Sequence, residues 1–180
     1  DNSHTDLFLP IISGVEDIIG GEVEEGTSQR MGVNMIADHA RALTFTLAEG
    51  IYPSNEGRGY LLRRILRRAL TRMYRFGVEE PALFRLVDPV VDVMRADYPY
   101  LEKKKKEVVK VIRAEEDSFF RTLSAGRARF QAVAEEVASG GGKIISGDRV
   151  FMLYDTHGFP LELPRSLAED SGLEIDRKGF

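Results

Sequence analysis

Residues 58–75 read RGYLLRRILRRALTRMYR, and this stretch decides how the chain is expected to fold. It contains seven arginines and no acidic residue, although the whole chain has a formal net charge of −4. Apolar residues recur between the arginines at helical intervals, at Leu61, Leu62, Ile65, Leu66, Ala69, Leu70 and Met73. The pattern predicts a helix with one buried apolar face and one basic face.

The basic face permits two interpretations. Guanidinium groups are planar donors that match phosphate oxygens, so a row of them on a rigid helix is typical of a nucleic-acid contact. Alternatively, the arginines pair with acidic residues that follow the helix, namely Glu79, Glu80, Glu115, Glu116 and Asp117. No acid lies three or four residues from an arginine within the helix, and this favours phosphate binding.

The composition excludes several kinds of site. A chain of 180 residues with 43% hydrophobic and 30% charged residues is typical of a folded globular protein. Because cysteine is absent, disulfides, thiol catalysis and cysteine-bound zinc are excluded, and the scattered histidines (His4, His39, His157) predict no metal site. The absence of cysteine also fits a cytoplasmic location, which we expect. Membrane spans need about 18 consecutive apolar residues, which the chain lacks, so we expect no membrane contact.

Apolar periodicity predicts further helices on both sides of the arginine-rich stretch. The first covers about residues 3–20 and is expected to be kinked at Pro10, and the second covers about residues 33–47. A fourth helical segment, residues 83–94, is expected to be kinked or broken near Pro89, because proline removes an interior hydrogen bond.

Residues 101–139 predict one long helix. Two apolar series repeat every eleven residues, one at Leu101, Ile112, Leu123 and Ala134 and the other at Val108, Phe119 and Phe130. This period of about 3.67 residues per turn is typical of a long, nearly straight helix. The consecutive lysines Lys103 to Lys106 point in different directions around the helix, so we interpret them as a solvated face rather than a second nucleic-acid contact.

The C-terminal part predicts smaller elements. Residues 143–145 are expected to form a short strand, followed by a helix to about Tyr154 and a last short helix at about residues 163–170. Residues 173–175 are expected to pair with the first strand.

The predicted fold class is therefore mainly α, a helical bundle with one long helix plus a small C-terminal α+β segment with at most a short two-stranded sheet. The predicted domains are residues 1–139, which are helical, and residues 140–180, a small subdomain.

No catalytic constellation can be assembled from the sequence. The stretch Ser139–Lys143 lacks the spaced first glycine and the Ser/Thr after lysine that a phosphate loop requires. Two short polar residues stand out, Asn55 beside the arginine-rich helix and Asp155 at the end of another helix. Taken alone, Asn55 is expected to cap the arginine-rich helix, and Asp155 to hold the turn that follows it.

Three motifs nevertheless resemble alanyl-tRNA synthetase. They are IADHARA at residues 36–42, PSNEGRGYLLRRILRR at residues 53–68 and LYDTHGFP at residues 153–160, in that order. The resemblance extends over essentially the whole chain. His157 stands where tyrosine is common in the family, a change at a turn that is not expected to alter the assignment.

The resemblance implies an internal fragment of a longer protein. A class II catalytic core with its ATP, Mg²⁺ and alanine would precede Asp1, and an editing domain would follow. The chain would then be the tRNA-recognition region, with residues 1–139 as the helical tRNA-recognition domain, and it would have no catalytic activity or cofactor of its own.

The resemblance also implies roles for particular residues. Asn55 and Asp155 would recognise the G·U wobble pair in the acceptor stem of alanine tRNA, while five arginines would hold phosphates: Arg58, Arg63, Arg64, Arg67 and Arg68. The alternative is a helical protein-interaction or domain-spacing module that binds no RNA.

Overall fold

A computed structural model describes residues 6–157, 167–168 and 171–176, and the side chains of residues 153–157 lie outside that description. The helices are α1 (Leu9–Ile19), α2 (Ser28–Ala48), α3 (Gly57–Arg75), a 3₁₀ segment (Leu83–Leu86), α4 (Val87–Met94), α5 (Tyr100–Ser139) and α6 (Gly147–His157). The strands are β1 (Ile144–Ile145) and β2 (Glu174–Ile175). The fold is mainly α with one long helix and a two-stranded sheet, which confirms the predicted fold class. None of the described helices has the length and apolarity to cross a membrane.

The chain divides into two compact units, Asp1–Asp117 and Ser118–Phe180, and the division falls within α5. The predicted domains, residues 1–139 and 140–180, follow the end of that helix instead, because apolar periodicity reveals where a helix ends and not where its contacts change. Their assignment as a recognition domain and a small subdomain stays a prediction.

The core of the first unit is built around α2. This helix packs against α1, α3 and α4, so its apolar residues are enclosed from several sides. The fully buried side chains come from all four helices and include Ile11, Val15, Ile36, Leu43, Leu66, Leu70, Val90 and Val91. Burial of each large aliphatic side chain contributes roughly 1.5–3 kcal/mol, and this packing fixes which side of α3 remains in solvent.

Two prolines lie in first turns of helices. Pro10 is in the first turn of α1, so the predicted kink at Pro10 is wrong. The first turn of a helix tolerates proline because its N–H groups have no intrahelical acceptor. Pro89 likewise follows the start of α4 at Val87, where the 3₁₀ segment ends, and the predicted break near it is confirmed.

The long helix α5 buries both of its eleven-residue apolar series. Each of the seven positions (Leu101, Val108, Ile112, Phe119, Leu123, Phe130, Ala134) has at most 5% of its surface exposed. The predicted helix over residues 101–139 is therefore confirmed, with Tyr100 as its first residue. Its regular period lets one face remain apolar along the whole length.

Glu116 is a buried acidic residue on α5 that caps the start of the 3₁₀ segment. Its Oε1 accepts hydrogen bonds from the backbone N–H groups of Ala82 (2.9 Å) and Leu83 (2.7 Å), and its Oε2 accepts from Phe84 (3.0 Å). Burial raises the pKa of Glu116, and the three N–H donors oppose that rise. A carboxylate with 0% exposure thus supplies the acceptors that the start of the segment lacks.

In the second unit, β1 and β2 pair in parallel, with Ile144 opposite Glu174 and Ile145 opposite Ile175. The predicted pairing of these strands is confirmed. Ile145 of β1, Val150 of α6 and Leu173, which precedes β2, are all buried. The predicted helix at about residues 163–170 lies largely outside the described residues.

Replacing Glu116 tests its structural role. Glu116→Gln keeps one acceptor oxygen but turns the other position into a donor, which leaves a buried N–H unmatched. We expect the free energy of unfolding in urea to fall by about 1–3 kcal/mol. The exposed neighbour Asp117, changed to asparagine, is the control and is expected to stay within about 0.5 kcal/mol of the wild type.

The raised pKa gives this effect a pH dependence. The native state binds the Glu116 proton more tightly than the unfolded state, so the stabilisation is complete below the unfolded pKa and is lost as pH rises through the folded pKa. The stability difference between wild type and Glu116→Gln should therefore shrink from pH 4 to 7. A difference that grows with pH would show that the N–H donors outweigh burial.

Candidate nucleic-acid interface

The exposed face of α3 carries both basic and apolar side chains. Leu62, Leu66 and Leu70 are buried, whereas Arg64 and Arg68 are exposed one helical turn apart. Leu61 was expected in the apolar face but is 56% exposed, and Tyr60 beside it is 50% exposed. The buried face of α3 is therefore narrower than the apolar face predicted from the sequence. A tyrosine and a leucine lie in solvent among the arginines.

The arginines of α3 fall into different environments. Arg58, Arg64, Arg67 and Arg68 form no ion pair within the part of the chain that the structure describes. Of these, Arg67 is half-buried and the other three are exposed. Four guanidinium groups on one helix thus keep donors and positive charge available to an anion.

Arg72 differs because its side chain lies against α2. A Cβ added at Gly32 would be only 2.8 Å from Nε of Arg72, so the two helices approach closely at this point. Arg72 is half-buried as a result and is not part of the exposed basic face.

Arg63 is held by an acidic residue of α5. Its Nε donates to Oε2 of Glu115 at 3.1 Å, and its Nη2 donates to Oε1 at 2.9 Å. The two side chains are 27% and 18% exposed, so this fork of hydrogen bonds is partly shielded from water. For Arg63 the ion-pair interpretation of the basic face is therefore correct.

Asn55 lies in the loop directly before α3 and is exposed. The helix cap is Glu56, which makes no side-chain capping hydrogen bond, and Oδ1 of Asn55 accepts a hydrogen bond from Nη1 of Arg63. The interpretation of Asn55 as the cap of α3 is therefore wrong. The residue reaches the second turn of the helix instead of its free N–H groups.

Gly59 lets this loop lie against the first turn of α3. A Cβ at Gly59 would lie 2.2 Å from Oγ of Ser54 and 2.4 Å from the carbonyl oxygen of Tyr52. The second contact is with backbone, so a side chain there cannot be accommodated by a change of rotamer alone. The absence of a side chain at position 59 thus determines where Asn55 is placed.

The loop also contacts α5 at a second point. The hydroxyl of Tyr52 donates a hydrogen bond to Glu107, which raises the pKa of Tyr52. Lys104 and then Tyr52 lower the pKa of Glu107. An open cleft of about 460 Å³ lies beside this contact, between Pro53 and the α5 residues that precede Glu115.

The lysine run of α5 is partly neutralised. Lys104 pairs with Glu107 at 2.8 Å, and Lys105 pairs with Asp88 at 2.9 Å. The side chains of Lys104, Glu107 and Asp88 are 42–60% exposed, and that of Lys105 is 29% exposed. They agree with the interpretation of residues 103–106 as a solvated face, although they leave the nucleic-acid alternative untested.

Asp155 belongs to α6, which continues to His157, so its backbone is helical rather than at the predicted turn. Its side chain lies outside the described residues, as do residues 158–160. Asn55 is in the first unit and Asp155 in the second. The predicted meeting of the two side chains at one RNA stem therefore stays a prediction.

Among the residues that the structure describes, no group of three or more histidine, aspartate or glutamate side chains could hold a metal ion. The sequence analysis placed Leu61 in the apolar face of α3 and did not single out Tyr60, so it missed this exposed pair. The sequence analysis included Glu115 among five acidic residues that could pair with the arginines, but it did not distinguish Glu115 from the other four.

The basic helix, its acid-poor surface and the three motifs agree with comparisons to known proteins. The model of the family described as tRNA synthetases class II (A) matches residues 1–180, and the chain belongs to this family. Its relatives are alanine–tRNA ligases, which confirms the resemblance found in the motifs. Those of Streptococcus pneumoniae (strain Hungary19A-6) and Streptococcus sanguinis (strain SK36) are 43% identical over 179 residues, and that of Geobacillus thermodenitrificans (strain NG80-2) is 42% identical.

The alignments cover 99% of this chain but 20% of each relative. The chain thus spans about a fifth of the length of the curated relatives it matches. The reaction and substrates in the names of those relatives belong to proteins five times as long.

A substitution at Gly59 tests the placement of the loop. Gly59→Ala puts a methyl group into the carbonyl of Tyr52, so we expect the loop to move and the free energy of unfolding to fall by about 1–3 kcal/mol. The amide chemical shifts of residues 52–56 should change most. Gly140→Ala is the control, because its Cβ would meet nothing closer than 3.5 Å. Unchanged shifts in the loop would contradict the described contact.

Proposed function

We propose that this chain recognises the acceptor stem of alanine tRNA as part of an alanine–tRNA ligase. The observation that carries the proposal is the row formed by Arg58, Arg64, Arg67 and Arg68 on α3, which has no acidic partner among the described residues and follows closely on Asn55. Arg58, Arg64, Arg67 and Arg68 supply phosphate contacts, and Asn55 and Asp155 supply base recognition. Phosphate contacts set the register, and contacts to base edges provide specificity.

The geometry of α3 supports a backbone contact. Residues four apart rise by about 6 Å along a helix and lie on the same face, so Arg64 and Arg68 form a short row of positive charge. Tyr60 is exposed one turn before Arg64 and adds an aromatic surface that can pack against sugar or base. An excess of arginine over acid on this face distinguishes it from the rest of an acidic chain.

The chemistry of a G·U wobble pair fits the two proposed recognition residues. The exocyclic amine of guanine lacks its usual partner in this pair, and a carboxylate such as Asp155 accepts hydrogen bonds. An amide such as Asn55 has both donors and an acceptor, so it can pair with a base acceptor. The pair is therefore distinguishable from G·C by hydrogen bonding alone.

Alanine activation with ATP and Mg²⁺ would occur in a catalytic core outside this chain, and an editing domain would be a further part of the same protein. The chain itself would act by binding and orienting tRNA in the cytoplasm, without a cofactor. The names of the relatives support the reaction, and the shared fifth of their length supports only this region.

A second candidate function is a helical module that contacts protein or spaces domains. The ion pair between Arg63 and Glu115 favours it, because it shows that at least one arginine of α3 serves the fold. This module would bind no RNA. Salt-sensitive binding to a stem duplex separates the two candidates.

Two substitutions test base recognition. We expect Asn55→Ala and Asp155→Ala each to reduce the preference for a G·U over a G·C acceptor-stem duplex by about 1–3 kcal/mol, or roughly 5- to 150-fold. Fluorescence anisotropy with both duplexes measures the preference. Asp148→Ala removes the same charge from an exposed position on α6 and is the control for Asp155. Equal losses on both duplexes would contradict base recognition by these residues.

A different signature is expected for the phosphate contacts. Arg64→Ala should weaken binding to both duplexes by a similar factor and reduce the slope of log K against log salt by about 0.7–0.9 per contact. Arg95→Ala, which removes an exposed arginine beyond α4, is the matched control. A change in the G·U preference without a change in slope would show that Arg64 contacts a base instead.

A further inference from the structure

We infer that Glu115 is a positioning residue for Asn55 and acts through Arg63. This inference rests on the proposed function, because it concerns how Asn55 is presented to RNA. The three residues form what we call the Asn55 link: the carboxylate of Glu115, the guanidinium of Arg63 and the amide of Asn55. They come from α5, α3 and the loop before α3.

One guanidinium makes all the contacts of the link. Nε and Nη2 of Arg63 donate to the two oxygens of Glu115 at 3.1 and 2.9 Å, and Nη1 donates to Oδ1 of Asn55. The bidentate contact fixes the plane of the guanidinium, because both of its hydrogen bonds must lie in that plane. The remaining Nη1 donor is thereby aimed at the loop.

The link determines whether the oxygen or the NH₂ group of the Asn55 amide faces solvent. Arginine has only donors, so the group that meets it is the amide oxygen and not the amide nitrogen. The NH₂ group of Asn55 remains exposed and makes no side-chain hydrogen bond to the described residues. Asn55 is thereby presented to RNA as a hydrogen-bond donor, and the group it recognises is an acceptor on a base edge.

The partial burial of the link strengthens the hydrogen bonds that orient the amide of Asn55. Glu115 and Arg63 are mostly shielded from water, whereas Asn55 is at the surface. Hydrogen bonds between charged groups are stronger than neutral ones, and shielding reduces competition by water. The amide is ordered when the protein folds, so less conformational entropy is lost when RNA binds.

The link also separates Arg63 from the other arginines. Three of its five N–H donors are used, and Glu115 neutralises its charge. Arg63 is therefore a positioning residue instead of the phosphate contact that the family resemblance implies. Arg64, the next residue, is exposed and forms no ion pair with the residues that the structure describes.

The experiment compares Glu115→Gln with Glu102→Gln, which removes the same charge from an exposed position on α5. The first readout needs no RNA: ¹⁵N relaxation of the Asn55 side-chain NH₂ group. We expect this group to be ordered in the wild type, mobile in Glu115→Gln and unchanged in Glu102→Gln. Unchanged order in Glu115→Gln would overturn the inference.

The second readout is the preference for the G·U over the G·C duplex. Loss of one oriented hydrogen bond should reduce that preference roughly 3- to 10-fold in Glu115→Gln while binding to G·C stays the same or strengthens. A merely structural role would weaken both duplexes together. Arg63→Lys, which keeps the charge but not the fork, should behave like Glu115→Gln. Arg95→Lys, the same change at an exposed position beyond α4, should leave the preference intact.

Arg63→Lys also keeps the test decisive if Glu115→Gln fails to fold. A wild-type chain without any G·U preference would contradict the proposed function, and the NH₂ relaxation would still decide whether Glu115 orders Asn55. A normal preference in Arg63→Lys together with an ordered NH₂ group would overturn the inference alone.

Discussion

The burial of one side of α3 against α2 is the constraint on which the rest of the structure depends. Leu62, Leu66 and Leu70 must leave water, and the helical period then places Arg64 and Arg68 in it. Because α3 contains no acid, the exposed charge is not neutralised within the helix. Gly59, in the first turn of the same helix, lets the preceding loop lie against it and so places Asn55.

Much of the fold follows from periodicity. The eleven-residue repeat identifies α5, and the short apolar stretches near the C-terminus identify two strands that pair as expected. The kink predicted at Pro10 is wrong because proline is tolerated in a first turn, and the sequence does not show that the helix begins so late. Leu61 fits the spacing of a buried residue but lies beyond the edge of the packed surface, which only the tertiary structure defines.

The contacts of the candidate site were less predictable from the sequence than the fold. Arginine spacing predicts a basic helix, but it cannot show which arginine meets an acid. Glu115 and Glu116 are adjacent in sequence, and one pairs with Arg63 while the other holds backbone N–H groups. They point in directions about 100° apart around α5, so packing gives them different partners. Asn55 was expected to cap α3 because its amide suits that role, and Arg63 supplies a stronger donor.

The central claim is that the arginine face of α3, with Asn55 and Asp155, binds the acceptor stem of alanine tRNA and distinguishes its G·U wobble pair from G·C. The most direct measurement is binding of the unmodified chain to G·U and G·C acceptor-stem duplexes over a series of salt concentrations. The account predicts affinity that falls steeply with salt and is greater for G·U at every concentration. Absence of binding at low salt, or salt-sensitive binding that is equal for the two duplexes, would contradict it.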